Sequence, residues 1–360
     1  MNINPFGSHK TIVPADFYCR EDIFAKEREQ IFKKNWVYAG KRTDLQKEGD
    51  FYTVEVLGIP ILVWLTKSGL KAFVNVCPHR GAQLKLETTG CAHALSCHYH
   101  GWTWDQAGSL KRVPGERLEE NFEKCNYPLT ELAVGELSPF VFIHFEKNPA
   151  PFASQFKILL EAISTRGIDY AQLTYYGKKS YSMKCNWKTV VENFLECYHC
   201  PISHPSFCDL INMADYEVKT YDRHSTQYGY LRAETLTNGE CPQNSHYGIY
   251  NYIYPLFMVN TYPGKGNASI NIIEPISAEE TLVTYEFFLD PTMGPKEIEE
   301  NIALVHQVQL EDVIICESVL RGLKSGFYKT GWLMGAERGV HHFQDLLSRD
   351  LEMVQYPYLQ

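Results

Sequence analysis

The sequence predicts a two-domain α+β protein, in which an all-β domain is followed by a larger domain of mixed helices and strands. The chain has 360 residues and is 44% hydrophobic, which is enough for two cores rather than one. Residues 51–145 hold short alternating or apolar runs separated by Gly, Pro and polar turns, as strands do. Beyond residue 150, such runs alternate with segments of helical spacing.

The elements divide the chain into three parts. Within residues 16–40, apolar positions recur at helical spacing and then give way to an extended run at Trp36. The segment FEKNPAPFASQ, with two prolines and polar residues, is typical of a connector. We therefore predict a helical segment at 1–35 that packs on the second domain, a β domain at 36–150 and a second domain at 151–360.

The second domain is predicted to carry one sheet with helices against it. Helical patterns appear in FKILLEAISTRG and KTVVENFLECYHC, and strand patterns in YGIYNYIYPLFMVNTY and LVTYEFFLD. A long amphipathic helix is expected from Pro295, with Glu297 and Glu300 near its N-terminus, where the helix dipole favours negative charge.

Composition narrows the class of partner. The net charge of -9 and the pI near 5.8 oppose attraction to nucleic acid and to anionic membranes, so a small molecule or another protein is expected. No run of 18 apolar residues and no secretory pattern appear, which predicts a cytoplasmic protein. The eleven cysteines do not have the spacing of a disulfide framework.

Two short loops in the β domain combine cysteine with histidine. The first reads Cys77-Pro-His79-Arg-Gly, and the second reads Cys97-His-Tyr-His100-Gly-Trp, with seventeen residues between His79 and Cys97. Together they supply two thiolates and two imidazoles, a set that suits either structural zinc or an iron-sulfur cluster. Zinc fingers usually pair cysteine with cysteine and histidine with histidine, so the mixed loops favour iron-sulfur.

A second group of candidate ligands lies in Glu196-Cys-Tyr-His199-Cys-Pro-Ile-Ser-His204. Glu196 and His199 are three residues apart, so we expect them on one face of a helix that ends at Pro201, with His204 returning beside His199. Two imidazoles and one carboxylate form the facial triad of non-haem Fe(II) oxygenases. Asp312, on an otherwise apolar helix, is the expected carboxylate, and Glu311 is the alternative.

These motifs resemble those of Rieske non-haem iron oxygenases, the family of aromatic-ring-hydroxylating α subunits. CPHRG and CHYHGWTWDQAGSL resemble its Rieske motif, while NWKTVVENFLECYHCPISHPSF and EDVIICESV resemble its catalytic-iron segments. The likeness extends over nearly the whole chain. It implies a Rieske [2Fe-2S] domain followed by a helix-grip-like catalytic domain with an antiparallel sheet.

The same resemblance implies the cofactors and their ligands. A [2Fe-2S] cluster is expected on Cys77, His79, Cys97 and His100, and mononuclear Fe(II) on His199, His204 and Asp312. Glu196 stands where most ring-hydroxylating members have aspartate, and it is expected to bridge His100 of a neighbouring subunit to His199. The family also implies a homo-oligomer, usually a trimer, O2 as co-substrate and a separate NAD(P)H-dependent flavin and iron-sulfur reductase.

The segment ENFLECYHCPISHP most closely resembles the corresponding segment of the choline, glycine betaine and carnitine monooxygenases. That resemblance implies hydroxylation of a quaternary ammonium or N-methylated compound, with N-demethylation or C–N cleavage. Tyr250, Tyr252 and Tyr254 alternate along a predicted strand, a pattern that fits a cation-binding cage as well as ordinary strand packing. The alternatives are an arene dioxygenase and a Rieske electron-transfer protein without oxygenase activity.

Overall fold

A computed structural model describes residues 9–119, 121–233, 245–264 and 266–353. The chain divides into two compact units, one formed by residues 33–154 and the other by residues 1–32 together with 155–360. The sequence prediction places the corresponding boundaries after residues 35 and 150. The first unit is called the β unit below and the second the catalytic unit.

The secondary structure is numbered in chain order. The strands are β1 His9–Lys10, β2 Val37–Lys41, β3 Asp50–Val56, β4 Ile59–Thr66, β5 Gly69–Val74, β6 Thr89–Cys91, β7 Leu95–Ser96, β8 Thr103–Trp104, β9 Leu110–Arg112, β10 Glu131–Leu137, β11 Phe140–His144, β12 Thr174–Met183, β13 Glu217–Thr220, β14 His224–Tyr230, β15 Tyr247–Ile253, β16 Phe257–Thr261, β17 Ala268–Ser277, β18 Glu280–Leu289 and β19 Trp332–Leu333. The α-helices are α1 Glu21–Gln30, α2 Phe152–Gln155, α3 Lys157–Arg166, α4 Trp187–Phe194, α5 Cys200–Ser203, α6 Pro205–Leu210, α7 Pro295–Lys324 and α8 Arg338–Asp350.

The β unit is built on an antiparallel sheet of order β2-β11-β10-β5-β4-β3-β6, with a smaller sheet β7-β8-β9. Strands β3 and β4 are joined by the two-residue turn Leu57-Gly58, in which both residues have positive φ. Such a turn matches the twist of the paired strands. A buried cluster that includes Phe51, Trp64 and Trp104 packs directly against Cys77 and Cys97, so the core of this unit supports both ligand loops.

The catalytic unit contains a second antiparallel sheet, of order β12-β18-β17-β16-β15-β14-β13. The predicted run YGIYNYIYPLFMVNTY forms two strands of this sheet, β15 and β16, because the chain turns at Tyr254-Pro255. In the register of the sheet, Tyr250 lies opposite Gln227 on one side and Asn260 on the other. Long helix α7 begins at Pro295, as predicted, and contacts α4, α6 and β12.

The N-terminal helix α1 is fastened to α4 by a fully buried ion pair. Glu27 accepts from the Lys188 ammonium at 2.5 Å and from the Trp187 indole N–H at 2.8 Å, and both charged side chains are at most 1% exposed. Asn186 caps α4 by accepting the backbone N–H of Lys188. These contacts position the helix from which the metal-site loop departs.

Within the described ranges, no helix has the length and apolar character that crossing a bilayer requires.

Candidate metal centres

The two Cys/His loops of the β unit share one backbone design. The N–H of Gly81 donates to the carbonyl of Cys77 at 3.0 Å, and that of Gly101 donates to the carbonyl of Cys97 at 2.9 Å. Both glycines have positive φ, near 77° and 73°, a conformation that glycine adopts readily. Each loop therefore turns tightly around its cysteine and presents its histidine beyond it.

The four side chains fit a cluster that is buried on its thiolate side and open on its imidazole side. Cys77 and Cys97 are both 2% exposed, whereas His79 is exposed and stacks on Trp102 with ring centroids 4.6 Å apart. The rings of His79 and His100 lie 4.6 Å apart. Burial raises the pKa of Cys77, so a thiolate there needs a nearby positive charge such as a metal ion. The loops thus bring all four predicted ligands together.

The segment that contains Glu196, His199 and His204 does not have the predicted secondary structure. Helix α4 ends at Phe194, so Glu196 and His199 do not share a helix. Glu196 instead folds back over the loop, where its Oε2 accepts the backbone N–H groups of Tyr198 and His199. Pro201 does not end a helix but lies in the first turn of α5, where its missing N–H is tolerated.

This loop brings three predicted ligands to one point. The Nε2 atoms of His199 and His204 are 3.1 Å apart, and Oδ1 of Asp312 lies 3.0 Å from the Nε2 of His204 and 3.6 Å from that of His199. One donor atom from each residue falls within 4.8 Å of the others. Three converging donors, two imidazole and one carboxylate, suit a non-haem Fe(II) site that leaves coordination positions open.

The Nδ1 atom of each imidazole lies within hydrogen-bonding distance of a carboxylate. Glu196 Oε1 lies 2.5 Å from the Nδ1 of His199, and Glu311 Oε2 lies 2.7 Å from the Nδ1 of His204. Such partners fix the orientation of a ligand histidine and leave its Nε2 for the metal. Glu311, the alternative ligand in the sequence prediction, therefore occupies a supporting position because it meets the far side of His204.

Hydrogen bonds within the triad shift the pKa values of His199 and Asp312. Burial alone would lower the pKa of His199, but hydrogen bonds to Asp312 and Glu196 outweigh that effect and raise its pKa to about 9. Burial would raise the pKa of Asp312, whereas its contacts with His199 and His204 hold it below the ordinary value. Asn193 Nδ2 also donates to Asp312 Oδ1 at 3.1 Å. A divalent cation at this point would be bound by neutral imidazoles and an ionised carboxylate.

One disulfide lies in the same loop, between Cys197 and Cys200, whose Cα atoms are 4.9 Å apart. It spans only three residues and cross-links no distant segments. The sequence prediction that the cysteines form no disulfide framework is compatible with this local pair. The pair was not anticipated, although the C-x-x-C spacing in ECYHCP was a visible signal for it.

A cavity of about 320 Å³ opens onto the triad from the catalytic sheet. Its walls are mainly aromatic and aliphatic, with several amides, and they include Phe207, Tyr216, Tyr250, Asn260, Tyr262 and Tyr285. Of the three predicted substrate tyrosines, Tyr250 lines the cavity. Tyr252 and Tyr254 do not, because their rings pack against Phe343 of α8. Tyr262, which the sequence analysis missed, follows Asn260 at strand spacing and contacts Tyr250 with ring centroids 6.1 Å apart.

A β domain with two matched Cys/His loops, ahead of an antiparallel-sheet domain with a His-His-Asp triad, is the architecture of a Rieske-type oxygenase. The family model described as the Rieske [2Fe-2S] domain matches residues 35–123, and that described as the ring hydroxylating alpha subunit (catalytic domain) matches residues 170–352. The chain belongs to the Rieske non-haem iron oxygenase family of ring-hydroxylating α subunits.

Individual relatives are similar along nearly their full length. The carnitine monooxygenase oxygenase subunit of Acinetobacter pittii is 31% identical, over 93% of this chain and 94% of that one. The chloroplastic choline monooxygenase of Arabidopsis thaliana is 27% identical, over 94% and 83% respectively. The crystal structure of the quaternary ammonium Rieske monooxygenase CntA in complex with L-carnitine superposes with a TM-score of 0.80 at 29% identity, over 95% and 96% of the two chains.

These similarities confirm the predicted family, the fold class, the oxidoreductase class and the two cofactors, a Rieske [2Fe-2S] cluster and a mononuclear iron. As an oxygenase subunit, the chain works with a reductase partner and a small-molecule substrate.

Proposed function

We propose that this chain is the oxygenase subunit of a Rieske monooxygenase that hydroxylates a quaternary ammonium or N-methylated compound, leading to N-demethylation or C–N cleavage. The cluster is assigned to Cys77, His79, Cys97 and His100, and the iron to His199, His204 and Asp312. The observation that carries the proposal is the cavity that opens directly onto the His-His-Asp triad. The substrates named for the carnitine and choline relatives support the class of compound.

The cavity wall suits a cation with methyl groups. Aromatic faces attract quaternary ammonium groups, and Tyr250 and Tyr262 both present rings to the cavity. The charged side chains in the described lining, apart from the histidines, are the carboxylates Glu196 and Asp312. The rings therefore attract a cation, and the described lining contains no Lys or Arg to repel it.

When bound, the iron supplies the place where O2 is reduced, and the cluster supplies the electrons one at a time. The overall reaction takes a C–H bond, O2, two electrons and two protons to a C–OH bond and water. A hydroxylated N-methyl group then loses formaldehyde and leaves the amine. His199, His204 and Asp312 would hold the iron, and the mainly apolar cavity beside them would bind the substrate next to it.

Glu196 is assigned the role of electron-transfer bridge between subunits of a homotrimer. Its carboxylate contacts His199, an iron ligand, while its side chain is 11% exposed. The surface beside it is apolar, since Tyr198 is 57% and Ile202 88% exposed. His100, the cluster histidine of the predicted bridge, is partly exposed and is therefore accessible to a neighbouring copy. The reductase is proposed to be an NAD(P)H-dependent flavin and iron-sulfur protein.

The proposal is tested by turnover with a purified reductase, NADH, O2 and a panel of quaternary amines and arenes. Oxygen consumption that depends on an amine, with formaldehyde or another aldehyde as product, is the expected result. A cis-diol formed from an arene would instead identify a ring dioxygenase. If oxygen is not consumed with any substrate and iron is lacking at the triad, the chain is an electron carrier.

A further inference from the structure

The Cys197–Cys200 disulfide lies at the metal end of the cavity. Both cysteines line the cavity wall together with His199 and His204, and no other described cysteine lines it. They are 9% and 4% exposed, so each keeps a small accessible surface. Any oxidant or reductant that enters the cavity therefore meets the iron site and this pair of sulfur atoms in the same space.

The backbone keeps the two cysteines close without help from the sulfur atoms. The N–H of Cys200 donates to the carbonyl of Cys197 at 3.3 Å, and their Cα atoms are 4.9 Å apart. Between them, the backbone N–H of His199 donates to Glu196 Oε2 at 3.2 Å. Because these contacts remain when the S–S bond is broken, the pair can close again. The C-x-x-C spacing is also that of reversible thiol–disulfide pairs.

The sulfur of Cys200 lies beside the point where the triad converges. Its Sγ is 4.0 Å from the Nε2 of His199, the atom that would bind the iron. The three triad donors are themselves 3.0 to 3.6 Å apart. A thiolate is a metal ligand, whereas a sulfur held in a disulfide has no free thiolate to offer. Breaking the disulfide would therefore add a fourth donor next to the three of the triad.

We propose that Cys197 and Cys200 form a redox-active pair that sets the number of protein ligands on the iron. The disulfide leaves the His-His-Asp triad with its open positions, and the reduced Cys200 occupies one of them. The inference goes beyond the proposed function, because it concerns the state of the metal centre and not the substrate. It uses the same assignment of the iron to the triad.

The reactions that interconvert the two states balance. When O2 takes up two electrons and two protons without hydroxylating a substrate, it leaves as hydrogen peroxide. The Cys200 thiol and peroxide give a sulfenic acid and water, and the Cys197 thiol then displaces a second water to form the disulfide. A dithiol reverses the change by thiol–disulfide exchange and becomes a disulfide itself. The pair thus links the iron site to the peroxide and thiol levels around the protein.

The test uses protein with an intact cluster and Co(II) in the triad, because X-ray absorption at the cobalt edge is not obscured by the cluster irons. The protein is reduced anaerobically with dithiothreitol, freed of it and loaded with Co(II). Half of the sample is then treated with a stoichiometric amount of hydrogen peroxide. Alkylation and peptide mass spectrometry report the state of Cys197 and Cys200.

In the reduced sample, both cysteines should be alkylated, and cobalt should have about one sulfur neighbour at roughly 2.3 Å. In the oxidised sample, neither cysteine should be alkylated, and the sulfur neighbour should be lost. Cys200→Ser should have no cobalt–sulfur contact in either state. Cys197→Ser leaves Cys200 as a thiol and should show the contact without any reductant. Cys208→Ser, in a nearby cysteine that does not line the cavity, is the matched control and should behave as the wild type does.

A disulfide that resists dithiothreitol in the folded protein would be structural, and the inference would fail. It would also fail if both cysteines were alkylated while cobalt had no sulfur neighbour. If Co(II) does not bind the triad at all, the metal assignment is wrong, so the proposed function falls and this inference falls with it. Turnover of an arene instead of an amine would overturn the proposed substrate class alone.

Discussion

Removing the carboxylate of Glu311 should weaken iron binding without touching the cluster. Glu311 Oε2 lies 2.7 Å from the Nδ1 of His204, and Gln307 steadies its other oxygen at 2.8 Å. The His204 side chain is 2% exposed and that of Glu311 is 25% exposed, so solvent can partly replace the lost acceptor. Loss of such a partner typically lowers metal affinity by about 10- to 100-fold, which corresponds to about 1.4–2.7 kcal/mol. We expect the iron affinity of Glu311→Ala to fall within that range.

The assay is anaerobic Fe(II) titration of the apo triad, with sulfide content and the electron paramagnetic resonance spectrum of the cluster followed in parallel. Glu300→Ala is the matched control, since Glu300 lies on the same helix with a side chain that is 67% exposed. Glu311→Gln, which retains an acceptor oxygen, should lose less affinity than Glu311→Ala. Wild-type iron affinity in Glu311→Ala, or loss of the cluster, would refute the reasoning.

Three further predictions concern electron transfer and stability. Glu196→Gln should slow coupled turnover, measured as the rate of product formation, while iron and cluster content stay unchanged; loss of iron would mean that Glu196 chiefly positions His199. Glu27→Leu leaves the buried Lys188 ammonium without its partner and should destabilise the catalytic unit by about 3–5 kcal/mol in denaturant unfolding. Adding Lys188→Met to Glu27→Leu should recover part of the lost stability. A double variant that is no more stable than Glu27→Leu would contradict the view that the unpaired ammonium causes the loss. Burial lowers the pKa of His224 to about 4, and neither ring nitrogen has a hydrogen-bond partner among the described residues. The unfolded chain therefore binds the extra proton first, so stability should be full above about pH 6.5 and fall by up to about 3 kcal/mol as the pH drops towards 4. His224→Leu should remove that part of the pH dependence, and an unchanged profile would rule out His224 as its source.

Residue type and spacing predict both candidate metal-binding motifs. The Cys77 and Cys97 loops each place their ligands within a few residues, so local turn geometry alone brings thiolate and imidazole together. Asp312 was found by a different argument, because a carboxylate on an apolar helix needs a partner. The structure places that partner, His204, 3.0 Å away although the two residues are 108 positions apart.

The hydrogen bond between Glu196 and His199 was harder to predict than the motifs themselves, because it depends on where helix α4 ends. A continuous helix through KTVVENFLECYHC would place Glu196 and His199 on one face, but α4 stops at Phe194 and Glu196 reaches His199 through a turn. Which of the neighbours Asp312 and Glu311 faces the triad depends on the rotation of α7, and the sequence alone left Glu311 as an alternative to Asp312.

The alternation of Tyr250, Tyr252 and Tyr254 in the sequence does not predict which of them reach the cavity. Alternation predicts which side of a sheet a residue occupies, but it does not predict what covers that side. Tyr250 meets the cavity, while Tyr252 and Tyr254 are covered by Phe343 from α8. Only the tertiary arrangement separates a residue of the cavity wall from a residue of the core.

The most direct test of the two-centre assignment is iron and sulfide analysis of the purified protein together with its electron paramagnetic resonance spectrum, for the wild type and for Asp312→Ala. The wild type should contain about three irons and about two sulfides per chain, with a Rieske-type signal after reduction. Asp312→Ala should lose about one iron and keep the sulfide and the signal. A colourless protein that holds zinc, or an Asp312→Ala variant with unchanged iron content, would contradict the account.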